Sequence, residues 1–105
     1  MSAVFVIDRE PAIRLAARSA LERAGFSVTT AADDGAVAAA PPDLLLADPV
    51  IASLAMLRRR YPAARMLALS ADGDAPRDNL PILRKPFTTS QLLAAVRLCL
   101  ARSGR

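Results

Sequence analysis

Four side chains stand at matched places in this sequence: Asp8, Asp48, Ser70 and Lys85 each close or follow a short apolar run, in "AVFVID", "DLLLAD", "RMLALS" and "PILRK". Together they offer two carboxylates, a hydroxyl and an ammonium. A polar residue after a strand is commonly a turn or cap residue, so one such position would say little; four with complementary chemistry argue for a site. Lys85 is the only lysine in a chain that otherwise uses arginine, which suggests that a flexible point charge is required there. There is no histidine and one cysteine, Cys99, so an internal disulfide, a multi-cysteine zinc site and His-based catalysis are excluded. Any bound ion would be hard and oxygen-held, magnesium or calcium on Asp and Glu.

The elements that must position these groups are legible from periodicity. "AVFVI" (Ala3 to Ile7) is apolar without alternation, as in a strand buried on both faces. Pro11 opens a helix whose stripe of Ile13, Ala17, Ala20, Leu21 and Ala24 runs to Gly25. Strands follow at Phe26 to Ala31, Asp43 to Asp48, Arg65 to Ala71 and Pro81 to Lys85, the last at a sheet edge because it contains a proline. Helices are expected at Ile51 to Tyr61 and from about Thr89 to Ala101, where Thr88 and Gln91 stand in capping-box relation. Two connections look thin. The segment after the second strand leaves room for about two turns of helix before Pro41 and Pro42, and "DGDAPRDNL" (Asp72 to Leu80) reads as loop, without apolar periodicity. Strands interleaved with helices give an α/β fold with a parallel sheet, and ligands of such sheets collect beyond the carboxyl ends of the strands, the rim that all four polar residues share.

With 105 residues and a slightly positive mean hydropathy, the chain is read as one domain, 1–105. No apolar stretch is long enough for a membrane span and no signal peptide is apparent, so a cytoplasmic location is expected. The formal net charge of +4 raises the question of nucleic acid. Arg58, Arg59 and Arg60, however, fall where a helix would end and cations are favoured, aromatics are few, and no groove-reading helix is left over, so direct DNA binding is not expected.

In order and spacing, "VFVIDREPAIRLAARSALERAGFSVTTAADDGAVA", "PPDLLLAD", "MLALSA" and "LRKPF" resemble the receiver domain of bacterial two-component response regulators, over nearly the whole chain. The resemblance implies a flavodoxin-like, doubly wound five-stranded sheet of order 2-1-3-4-5. It implies that Asp48 accepts phosphate from a histidine kinase and that Asp8 is the first acid of the acidic pocket. Ser70 would be the switch hydroxyl, Lys85 the phosphate-pairing lysine, and Pro86 would follow a cis peptide bond. Departures from the pattern are specific. Arg9 stands where the family usually has a second acid that ligates metal, the turn after Asp48 is shortened, Ile82 replaces an aromatic, and the helix between strands four and five is missing or reduced.

The expected function is that of a stand-alone, atypical receiver in a phosphorelay, not an enzyme. It would be phosphorylated on Asp48 and act through protein contacts with a histidine kinase or phosphotransfer protein and a protein target, with a homodimer as a candidate state if the sheet face near strands four and five is left uncovered. The alternative is a pseudo-receiver that binds without phosphorylation. No cofactor is expected; magnesium could bind only weakly or not at all through Asp8 and Asp48, because Arg9 replaces an oxygen ligand and adds a cation. Arg9 itself has three readings: pairing with Asp8 or Asp48, clamping a phosphoryl group, or turning out to solvent.

Overall fold

The computed structural model describes residues 2–36, 38, 40–71 and 80–101. Its elements are β1 (Ala3–Ile7), α1 (Pro11–Arg23), β2 (Ser27–Ala31), β3 (Leu44–Ala47), α2 (Leu54–Arg60), β4 (Arg65–Ser70), β5 (Ile82–Arg84) and α3 (Thr89–Ala101). All five strands are parallel, in the order β2-β1-β3-β4-β5. This is the flavodoxin-like arrangement, with three helices among the described residues, in which the chain winds outward from β1 in both directions.

The unbroken apolar runs follow from burial on both faces. From β1, Val4 and Val6 point to one side and Phe5 and Ile7 to the other; Leu44 and Leu46 of β3 divide from Leu45 and Ala47 in the same way. The first face is roofed by Ala17, Ala20 and Leu21 of α1 and by Leu92, Val96 and Cys99 of α3. The second is closed by Leu57 of the short α2, with Ala52 and Tyr61 beside it. No helix among the described residues is long and apolar enough to cross a membrane.

The ends of the helices obey local rules. Pro11 begins α1, and Gly25, at φ 98°, ends it: Phe26 N–H reaches Leu21 O (3.0 Å) and Gly25 N–H reaches Glu22 O (3.1 Å), the pair of bonds that a left-handed residue after a helix makes possible. At α3 the capping box forms, with Gln91 N–H donating to Thr88 Oγ1 (3.1 Å) and Thr88 N–H to Gln91 Oε1 (2.9 Å).

Two expectations are corrected. Instead of two helical turns after β2, residues 32–36 form bends and a turn. Asp34 pins that turn by accepting the Ser53 N–H (2.7 Å), and Arg60 donates to the carbonyls of Asp34 and Ala36. The helix expected from Ile51 starts at Leu54, because Ser53 caps it through Oγ to Met56 N–H and the preceding residues turn back onto Asp48 O. On the second sheet face, Met66 and Ala68 of β4 are buried. Most of the loop expected at Asp72 to Leu80 lies outside the described residues.

Candidate functional site

Parallel pairing carries the ends of β1, β3 and β5 to one rim, and Asp8, Asp48 and Lys85 are the residues that follow those ends. The backbone continues the sheet through each of them. Asp8 N–H donates to Ala31 O (3.1 Å), Asp48 N–H to Ile7 O (3.1 Å) and Lys85 N–H to Ser70 O (2.8 Å). The three side chains meet: Lys85 Nζ lies 2.8 Å from Asp8 Oδ2 and 2.8 Å from Asp48 Oδ2. One ammonium thus bridges two carboxylates. Burial alone disfavours the charged lysine, but the hydrogen bonds to Asp48 and Asp8 and the attraction of both charges outweigh it, so its pKa is raised.

The remaining carboxylate oxygens are committed to nearby backbone. Asp8 Oδ1 accepts the Glu10 N–H (2.9 Å), and Asp48 Oδ1 accepts the Val50 N–H (2.9 Å). Arg14, one turn into α1, donates from Nη1 to Asp8 O (2.7 Å). Access differs between the acids: the Asp8 side chain is 1% exposed and that of Asp48 14%, so a reagent arriving from solvent meets Asp48 first. Because each carboxylate oxygen has room for a second partner, Asp48 retains lone-pair capacity beyond its two bonds.

Ser70 closes β4, buried, in register with Arg84, and its carbonyl anchors Lys85. The Lys85–Pro86 peptide is cis. Arg9 is exposed and forms no ion pair with Asp8 or Asp48, so of its three readings the side chain adopts the solvent-facing one. Glu10 comes nearer the lysine, with Oε1 3.9 Å from Lys85 Nζ on a side chain 62% exposed. The sequence reading passed over Glu10 and Arg14; their signal was proximity to Asp8 on the first turn of a helix beginning at Pro11. Three carboxylates, those of Asp8, Asp48 and Glu10, thus lie within 4 Å of one buried ammonium.

The donor set suits a divalent ion poorly. Asp8 and Asp48 already share Lys85, and among the described residues no group of three or more His, Cys, Asp or Glu side chains is placed to hold a metal.

No family model matches the chain, and no curated protein matches it. Solved structures do. Chemotaxis protein CheY4 of Vibrio cholerae aligns with a TM-score of 0.83 at 24% identity, over 95% of this chain and 99% of that one, and a second structure of it gives 0.80 at 26%. NtrX of Brucella abortus, in a complex with ATP, aligns at 0.85 and 24% identity over 97% of this chain and 27% of that one. A response regulator from Thermotoga maritima aligns at 0.78 and 22%, over 96% and 98%.

Proposed function

We infer that this chain, whose fold is that of response-regulator receiver domains, receives a phosphoryl group on Asp48 and signals through protein contacts. The observation that carries this reading is the bridge of Lys85 between a nearly inaccessible Asp8 and a more open Asp48. In the transfer an Asp48 oxygen attacks phosphorus, the bond from phosphorus to the donor's imidazole nitrogen breaks, and its electron pair leaves with the imidazole. Lys85, already 2.8 Å from Asp48 Oδ2, is in place to neutralise phosphoryl oxygens. Since Asp8, Asp48 and Glu10 surround a single ammonium, an incoming phosphoryl group needs a further cation. Arg9, exposed on the neighbouring turn, supplies it by swinging in. The partners on this reading are a histidine kinase or phosphotransfer protein upstream and a protein target downstream, in the cytoplasm.

Binding of beryllofluoride, a phosphoryl mimic, tests the reading. A fluorine resonance of bound beryllofluoride is expected with the unaltered chain and not with Asp48→Asn, and is weakened by Arg9→Gln. Equal binding by Asp48→Asn would overturn the assignment of the acceptor. A second reading, a module that docks without phosphorylation, is favoured by the same bridge, because Lys85 already satisfies both acids. It predicts no bound beryllofluoride at all.

A further inference from the structure

Three depressions lie at the opposite end of the sheet, around the residues that lead into β3, β4 and β5. One of about 350 Å³ is walled by Pro41, Pro42, Tyr61 and Pro62 and reaches Ala63. A second, of about 200 Å³, begins at Ala63 and runs past Ser2 and Asp43 to Arg65. The third, of about 230 Å³, starts from Arg65 and ends against Met66, Pro81 and Cys99. Shared walls at Ala63 and Arg65 make them one trough around the foot of β4. Its two ends are lined largely by apolar side chains, and its middle holds a guanidinium whose Nε is buried and has no hydrogen-bond partner. Such a donor costs free energy until an acceptor arrives. The carboxylate of Asp43 in the same trough accepts the Ala3 N–H (2.7 Å) and forms no ion pair with Arg65. Exposed Arg59 and Arg60 end α2 beside the first depression, with Arg60 anchored on the carbonyls of Asp34 and Ala36.

We propose that this trough docks an extended, acidic peptide segment of a partner protein, with a carboxylate on Arg65 and apolar side chains seated in the depressions on either side. Charge complementarity selects the acid: the foot carries Arg59, Arg60 and Arg65 against the one carboxylate of Asp43, which already accepts the Ala3 N–H. Size selects the form, because depressions joined in series suit successive side chains of one strand better than a compact small molecule. Nucleic acid is disfavoured because the proline-bordered trough offers one arginine, Arg65, at its middle, where several phosphate contacts and stacking faces would be needed. The foot lies at the far end of the sheet from Asp48, so the proposal stands independently of the phosphoacceptor reading.

Titration of the unphosphorylated chain with a fluorescein-labelled peptide of alternating Glu and Leu, followed by anisotropy and by backbone amide shifts, tests it. Saturable binding is expected, with shifts gathered at the amides of residues 43, 60, 61, 63–66 and 99–100. Replacing Glu by Lys in the peptide should weaken binding about tenfold or more, as loss of a charge-assisted contact does. Arg65→Met should have a similar effect. Ala63→Glu, at an exposed position that leaves the core untouched, should do the same and carries the test if Arg65→Met fails to fold; Leu15→Ala, on the exposed side of α1, should not. Equal affinity for the Glu and Lys peptides, shifts confined to the rim, indifference to Ala63→Glu, or a second copy of this chain occupying the foot in sedimentation would overturn the proposal.

Discussion

At the scale of single residues, Lys85 is the hinge of the site's electrostatics. Its side chain is 6% exposed and holds two carboxylates at once, so Lys85→Met leaves Asp8 buried without its cation and is expected to lower stability by about 3 kcal/mol in denaturant titrations at pH 7. The pH dependence has a definite sign. Because the lysine's pKa is raised on folding, its contribution is complete below the unfolded value of about 10.4 and is lost as pH climbs through the higher folded value. Above about pH 10.4 the unaltered protein should therefore lose stability more steeply than Lys85→Met. Arg9 gives the second prediction: Arg9→Asp restores an oxygen ligand next to Asp8 and should tighten magnesium binding by about tenfold or more in calorimetric titration. Equal affinity in the two proteins would show that Arg9 is not what weakens the metal site. The meeting of Asp8, Asp48 and Lys85 was legible because each closes an apolar run and a parallel sheet sends such ends to one rim. The posture of Arg9 was not, since a long side chain just before the cap of a helix can swing either way and only the packed structure selects.

At the scale of elements, the weakest cover is α2. Seven residues long, it closes the second sheet face with Leu57, fully buried, and depends on Ser53 for its start. Ser53→Ala removes the cap and should cost about 1 kcal/mol, while Leu57→Ala opens a cavity and should cost about 3 kcal/mol; both are read from thermal or denaturant unfolding. If Ser53→Ala left stability unchanged, the Asp34 carboxylate at Ser53 N–H would be carrying the cap alone. Periodicity located α1 and α3 because both have long apolar stripes and strong end signals, Pro11 and Gly25 for one and Thr88 with Gln91 for the other. It overextended α2 because Ile51 and Ala52 are apolar enough to continue the stripe, yet their N–H groups are taken by Asp48 O. The alanine-rich stretch after β2 looked helical by composition, but tertiary contacts from Ser53 and Arg60 hold its first residues in a turn.

At the scale of the molecule, a two-faced parallel sheet separates a rim that gathers Asp8, Asp48 and Lys85 from a foot that carries Arg59, Arg60 and Arg65. Fold order was legible from the alternation of elements together with the family resemblance. The trough at the foot was not, because it is assembled from three connections whose sequences share no motif. Placing the phosphoacceptor at the rim is the central claim, and acetyl phosphate tests it without knowledge of the kinase. Intact-mass spectrometry after incubation, with and without magnesium, should show one added phosphoryl group on the unaltered chain, peptide mapping should place it on Asp48, and Asp48→Asn should remain unlabelled. Absence of label under both conditions, or equal labelling of Asp48→Asn, would contradict the account.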